Sequence, residues 1–397
     1  VKMVREALQP DNEGIAPAFG FLEKSEMEQL PEYVARAFEH AGNDSRLSLS
    51  FAMGQPLKAR SRGRHTRSIY TLKTLQVSVD RYAKRAKDAM RDPNNLRFQV
   101  GGIGRDLWRE LFLEHPKVER TYIEARAKSR YLSLVFETPR EFLRLPLEFV
   151  RSENPPEYLV IQHPLARFLY NANPMRKAIS PSMLAQTKSL RILIVASNTK
   201  PLIDGVDTEV QELSKYLKSQ TFIHVDVTLI PTERAAYERV RTELRKQDYD
   251  ILHYAGHGSY RSDSPEESCL YFWANENREG DIVEMRADEL KILFGDSNAR
   301  LVYLSSCYGT ATGAREKLLD DDFLGLADVV SQAGVPSVLG FRWPVSDDGA
   351  VKMSLAFYRS LLKQGSPEIA LWRARRELAA WNRNDTTWLS PILIHQI

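Results

Sequence analysis

Apolar residues along this chain follow two rhythms, and the change between them falls near residue 190. From there on, short apolar runs alternate with longer stretches of helical period. LRILIVASN (190–198), IHVDVTLI (223–230), YDILHYAG (249–256), ARLVYLSSC (299–307) and VPSVLGFRW (335–343) read as buried strands. Between and after them, residues 205–220, 232–247, 323–334, 347–365 and 366–381 read as helices, with Thr232 and Ser366 as N-caps. WLSPILIHQI closes the chain as a strand. Apolar strands separated by helices predict an α/β fold, a largely parallel sheet covered on both faces. Ligands in such sheets lie beyond the C-terminal strand ends.

The first half is less regular and reads as mixed α/β. Residues 24–41 predict a helix interrupted at Pro31, and RLSLSFAM (46–53) a half-buried strand. Leu72, Leu75, Val79, Tyr82 and Ala86 recur at helical spacing. LRFQVGG (96–102) reads as a strand, IGRDLWRELFLE as a helix and RYLSLVFE (130–137) as a strand. TPREFLRLPLEFV (138–150) reads as a short helix with a turn at Pro146, and EYLVIQHP (157–164) as another strand. The polar, proline-bearing stretch 171–189 marks the change of rhythm. The expected division is a mixed α/β regulatory or docking region over 1–129, a strand-rich lead-in over 130–189 and a main α/β domain over 190–397.

Composition narrows the class. Hydrophobic residues make up 43% and charged residues 27%, which suits a folded chain rather than a disordered one. A net charge of +3 demands no nucleic-acid partner. The basic run LKARSRGRHTR (57–67) carries Lys58, Arg60, Arg62, Arg64 and Arg67 but no interleaved aromatics, so it reads first as a solvated loop. No apolar run is long enough to span a membrane, and the first residues lack the apolar core of a secretion signal. Two cysteines, Cys269 and Cys307, exclude a disulfide scaffold and point to a reducing compartment, expected to be the cytoplasm.

Two strand tips carry candidate chemistry. LHYAGHG offers His253 and His257; LVYLSSCYG offers Cys307. A thiolate is a strong nucleophile when an imidazole balances its proton, and the imidazolium can protonate a leaving amine. Glycines beside both residues permit sharp turns and close substrate approach. The Gly258 N–H, with that of Cys307, is a candidate oxyanion donor. By residue type alone, Cys307 also reads as a small buried hydrophobe.

These segments resemble the CHAT domain family, caspase- and separase-like cysteine peptidases of clan CD. HYAGHG (253–258) is similar to the family's HFACHG, and LSSC (304–307) to its LSAC. SCLYFW, GDIVEMRADEL (280–290), residues 325–350 with Trp343, Pro344 and Val345, and residues 356–378 resemble further family segments in order. Upstream, TPREFLRLPLEFV resembles the family's TP…LPWE, and LRILIVASN its first core strand. The resemblance implies a caspase-like sheet and a cysteine endopeptidase with Cys307 as nucleophile and His257 as base. It also implies regulated cleavage of a specific protein substrate, as in bacterial antiviral defence or programmed cell death. That chemistry needs no metal or cofactor. The chain departs from the pattern at Gly256, where cysteine is common, at Ser306, where alanine is common, and at Tyr308, where glutamate is common. A catalytically silent interaction module in a signalling assembly is the alternative.

His253, four residues before His257, reads as a core histidine. Cys269 reads as structural. A pocket for a basic substrate side chain requires an acid: Asp281, Asp347, Asp348 and Glu209 are candidates, though each also suits a cap or a surface. Trp343 suits either the cleft or the core. The stretch 309–323 reads as a loop in which Arg315 or Lys317 offers a self-cleavage site. Its Asp320, Asp321 and Asp322 lack the spacing of a calcium loop. GGIGRD (101–106) lacks the GKS or GKT ending of a phosphate loop. The expected partners are a protein substrate and a regulatory protein or activating ligand.

Overall fold

The computed structural model describes residues 45–50, 57–61, 64–68, 72–92, 95–128, 132–137, 142–169, 176–200, 202, 204–246, 248–259, 267–276, 281–306, 324–343 and 345–396, with the backbone alone before Val79. The expected helix at 24–41, Cys307, Tyr308, the 309–323 stretch and Pro344 lie outside them.

In chain order the elements begin with β1 (Ser45–Ser50), β2 (Leu57–Ser61), β3 (Arg64–Ser68), α1 (Leu72–Met90), α2 (Leu96–Trp108) and α3 (Pro116–Lys128). Then come β4 (Leu132–Glu137), α4 (Leu159–Gln162), β5 (Leu165–Leu169), α5 (Pro181–Gln186), β6 (Leu190–Ser197), α6 (Asp204–Lys218), β7 (Val225–Ile230) and α7 (Tyr237–Lys246). The last third holds β8 (Ile251–Gly256), β9 (Gly258–Ser259), β10 (Cys269–Trp273), β11 (Ile282–Arg286), α8 (Ala287–Asp296) and β12 (Leu301–Ser306). It ends with α9 (Leu324–Gln332), β13 (Ser337–Phe341), α10 (Asp347–Gln364), α11 (Pro367–Trp381) and β14 (Pro391–Gln396).

One sheet runs β3-β2-β1-β4-β5-β14-β13-β12-β8-β6-β7, and strands from both sides of the 171–189 stretch join it. Among its described strands, seven neighbouring pairs are parallel and three antiparallel, so the expected mostly parallel sheet is present. β14 lies between β13 and β5, antiparallel to the first and parallel to the second. Alternation along the strands sorts the core into two layers. Ile192, Ile194, Ile251, Leu301 and Tyr303 belong to the layer with Val210 and Leu213 of α6 and Met353 and Phe357 of α10. Leu193, Val195, Leu252, Tyr254, Val302 and Leu304 belong to the other, with Val240 of α7, Leu290 of α8 and Val329 of α9. Helices thus cover both faces.

Four local expectations differ from the structure. Residues 96–102 are helical, within α2, which continues through a π-turn at Arg109–Leu113. Val100, Ile103 and Leu107 are buried at helical spacing. Gly104 lets the helix approach its neighbour: a Cβ there would lie 2.0 Å from the Phe149 carbonyl oxygen. EYLVIQHP holds the short helix α4, and the strand begins after Pro164. Thr232 opens a 3-10 turn rather than capping α7, and its hydroxyl bonds the Asp207 carboxylate on α6. Within the basic run, expected as a solvated loop, Leu57–Ser61 and Arg64–Ser68 instead pair as the antiparallel strands β2 and β3 at the sheet's edge, where charge discourages further strand pairing. Ser366 does cap α11, accepting from the Ile369 N–H.

A charged cluster is buried where the two halves of the sheet meet. Glu148 and Arg167 are 1% and 0% exposed. Arg167 Nε donates to Glu148 Oε1 at 2.7 Å, its Nη2 bonds the other carboxylate oxygen, and Nη2 also donates to the Leu145 carbonyl at 2.8 Å. Arg342 Nη2, just past β13, lies 3.9 Å from Glu148 Oε2. Arg375, on α11, donates to the Pro391 carbonyl that opens β14. Burial alone would raise the Glu148 pKa, but Arg167 foremost, with Arg342 and Arg375, holds it below the usual carboxylate range. Burial pulls the Arg375 pKa down to about 10.

Candidate active site

β8 and β12 are adjacent and parallel, and their register runs from Leu301 opposite Ile251 to Ser306 opposite Gly256. The chain continues from one tip into His257 and from the other into Cys307. Neighbouring strands lie about 4.8 Å apart. Cys307 is outside the described residues.

The His257 backbone is held firmly. Its carbonyl accepts the Tyr271 N–H at 3.1 Å, and the Tyr254 hydroxyl lies 2.6 Å from it. That hydroxyl also lies 2.8 Å from the Tyr271 carbonyl, so its one proton is shared. Ser197 Oγ donates to the same Tyr271 carbonyl at 2.7 Å, tying in the tip of β6. The His257 side chain is half-buried. Gly256 must be small: a Cβ there would lie 2.3 Å from the Ser197 carbonyl oxygen. The family's common cysteine at this position would therefore collide with the end of β6.

Directly after His257 the chain enters a second, antiparallel sheet, β11-β10-β9. Gly258 is buried and faces Leu270. The Tyr271-to-His257 bond makes Gly258–Leu270 a non-hydrogen-bonded pair, which turns the Gly258 N–H away from β10. Cys269 is buried in β10, and burial foremost pushes its thiol up to about 11.

Beneath the strand tips lies a polar network that the sequence did not announce. His253 is fully buried and stacks on Tyr303 with ring centroids 4.6 Å apart. Its Nδ1 lies 3.3 Å from the Tyr358 hydroxyl of α10, and its Nε2 3.4 Å from Glu209 Oε1 of α6. Glu209 Oε2 accepts from Ser305 Oγ at 2.7 Å. Ser305 is two residues before Cys307, and His253 four before His257. The network therefore joins both strands to α6 and α10. The core reading of His253 holds, and the Glu209 carboxylate is occupied within the core rather than turned to a cleft. Period 2 in the strand and period 3.6 in α6 give each residue its face, but not which partner it meets.

The remaining pocket candidates spread out. Asp281 is exposed, and its carbonyl accepts the Ala274 N–H at 2.8 Å between β10 and β11. Asp347 and Asp348 are exposed in the first turn of α10, after the N-cap Ser346, which accepts from the Gly349 N–H at 3.1 Å. Carboxylates there also complement the helix dipole. Trp343 is 3% exposed, its ring 5.4 Å from that of Phe149, with backbone bonds to Ser390. Arg315 and Lys317 lie outside the described residues. Among the described residues no group of three or more histidine, cysteine or acidic side chains is placed to hold a metal ion. No helix of those residues is long and apolar enough to cross a membrane.

Residues 102–394 match the family model described as CHAT domain. Nothing among curated proteins matches the chain. Among solved structures, the chain is similar to the Saccharomyces cerevisiae separase–securin complex, at 12% identity and TM-score 0.37, covering 98% of this chain and 24% of that one. It is similar to protein GSU0716 from Geobacter sulfurreducens at 17% identity and TM-score 0.30, over 48% of this chain and 89% of that one. It is similar to the complex of Porphyromonas gingivalis RgpB pro- and mature domains at 10% identity and TM-score 0.37, over 81% and 75%. The chain thus spans about a quarter of the separase chain. The family match covers well over half of the sequence: the chain belongs to the CHAT domain family, and its helix-flanked, mostly parallel sheet is the caspase-like architecture expected of it.

Proposed function

We propose that the protein is a cysteine endopeptidase that cleaves a specific protein substrate through Cys307 and His257. The observation that carries this is the register of β8 and β12, which ends with Gly256 opposite Ser306, one residue short of both. On this reading the Cys307 thiolate attacks the scissile carbonyl carbon and the C–N bond breaks as the His257 imidazolium protonates the leaving amine. Water deprotonated by His257 then hydrolyses the thioester, restoring the thiol. The Gly258 N–H, turned from β10 by its register, stabilises the oxyanion. The pinned His257 carbonyl keeps the base at the strand tip, and the buried network under Ser305 and His253 keeps the two tips in register. Asp347 and Asp348 supply the acid for a basic substrate side chain, and a cut at Arg315 or Lys317 serves activation. By its family, the protein acts in bacterial defence or regulated cell death in the cytoplasm, under a regulatory partner.

The test combines a cysteine-directed activity probe with an unbiased peptide library. Wild type labels at Cys307 and cleaves; Cys307→Ala does neither, and His257→Ala labels at least about a hundredfold more slowly. Equal labelling of wild type and His257→Ala refutes the dyad. Rapid labelling with no cleavage, even alongside the native activating partner, favours the silent interaction module.

A further inference from the structure

We propose that the cleft where α2, residues 151–158 and the segment after α11 meet is a binding site for a single phosphate group, built from elements other than β8 and β12. A cavity of about 120 Å³ lies there, lined by Arg97, Arg151, Glu157, Tyr158, Arg383 and Trp388. Three of these six side chains are cationic and one is a carboxylate. That carboxylate is engaged: Arg383 Nη2 lies 2.5 and 2.6 Å from the two Glu157 oxygens, and Glu157 Oε1 also accepts the Tyr158 N–H at 2.8 Å. Arg97 bonds the neutral Asn384 amide oxygen, and the Arg151 guanidinium lies 5.6 Å from the centre of the Tyr158 ring. Among the described residues, Arg97 and Arg151 thus meet no carboxylate. The Arg151 backbone is fixed from two sides, by its N–H to the Gly104 carbonyl at 3.1 Å and by a β-bridge to Tyr158.

The donors converge. Gly101 of α2 has no side chain, and a Cβ there would lie 3.5 Å from Arg151 Nη1, 3.5 Å from the Tyr158 hydroxyl and 3.9 Å from Arg105 Nη1. Three donors therefore surround one point that the sequence leaves open. Arg105 is one turn after Gly101, on the same helix face. The GGIGRD segment, which lacks a phosphate-loop ending, thus contributes through a helix face. Trp388 is 2% exposed, and its buried indole N–H has no hydrogen-bond partner. A buried N–H left unpaired costs free energy, and an indole can only donate. Burial foremost raises the Tyr158 pKa, against the charges of Arg151 and Arg97, so its hydroxyl keeps a proton to donate. Guanidinium forks, a phenol and an indole N–H around one small cavity match the acceptor oxygens of a phosphate. The cavity is below the size of a drug-like ligand site, so it holds the phosphate group itself and leaves any organic part outside.

The test is calorimetric titration of the full chain with sodium phosphate, then with phenyl phosphate, in phosphate-free buffer. Saturable 1:1 binding is expected, weakened about tenfold by Arg151→Ala or by Arg97→Ala. Tyr158→Phe keeps the ring, removes the hydroxyl and weakens binding severalfold, and Arg241→Ala on α7 leaves it unchanged. Gly101→Ala separates the site from the fold. Alanine favours a helix over glycine, its Cβ makes contacts of ordinary length, and it fills the point between the donors. This variant melts no lower than wild type and binds phosphate about tenfold more weakly. Tighter binding of phenyl phosphate than of phosphate identifies an organic phosphate as the ligand class; equal affinity identifies the phosphate group alone. Absence of saturable binding, unchanged affinity in both Arg151→Ala and Gly101→Ala, or an equal loss in Arg241→Ala overturns the proposal.

Discussion

Replacing Glu148 by glutamine removes a carboxylate from a buried cluster that includes Arg167, Arg342 and Arg375. The amide keeps the shape and loses the charge. Breaking a buried ion pair from one side costs about 3–5 kcal/mol, because the partner charge stays buried. Unfolding entropy of about 2.1 cal/mol/K per residue, over 397 residues, converts that to a fall of roughly 4–6 °C in Tm. Circular dichroism at one fixed scan rate reads it, since chains of this size often unfold irreversibly. The pH dependence follows from the sign of the shift. The folded-state pKa of Glu148 is depressed, so its contribution is full above the unfolded value of about 4.3 and fades as pH falls through the folded value. The gap between wild type and Glu148→Gln therefore closes in acid. The double variant Glu148→Leu with Arg167→Met recovers part of the loss at pH 7. A Glu148→Gln protein that melts within about 1 °C of wild type at pH 7 would refute the reasoning.

Gly256→Cys, which installs the family's common residue, forces the Ser197 carbonyl to move and lowers stability by about 1–3 kcal/mol; an unchanged melting temperature shows that the end of β6 yields freely. In a Cys307→Ala background, Cys269 resists iodoacetamide at pH 7.5 in the native protein and reacts once urea unfolds it, because burial pushes its thiol up to about 11; mass spectrometry reads both states. Burial, then Arg126, pulls the His163 pKa down to about 3. The unfolded histidine therefore takes up a proton that the folded one refuses, and wild type loses about 1.4 kcal/mol per pH unit between pH 6.5 and 3. His163→Gln removes that slope, which urea melts across the range measure.

The second half of the fold was legible because its strands are apolar on both faces and its helices carry clear stripes, as in β6, β8, β12 and α10. The misreadings have physical causes. Gly101 and Gly102 gave the first turns of α2 the look of a strand that ends at 102, whereas the helix runs through them and Gly104 packs closely on Phe149. Arg167 broke the apolar run of β5, so the strand was placed too early; only its pairing with Glu148, 19 residues away, makes an arginine tolerable there. The strand end that precedes His257 was readable from its flanking glycines. The role of Glu209 was not, since a carboxylate on a helix face does not reveal that Ser305 and His253 wait on the strands beneath it.

The position of β14 bears on how the protein is made. Among the described residues, five strands on one side of it and five on the other are joined in the sheet through residues 391–396. A ribosome that has not yet released this segment holds two half-sheets, each with an open inner edge, and neither can complete the other. Assembly of the central sheet thus waits for synthesis of this strand, and so does the meeting of Arg375 with the carbonyl of Pro391. A nascent chain halted before Pro391 would expose both inner edges at once, making this the stage of synthesis most vulnerable to misassociation.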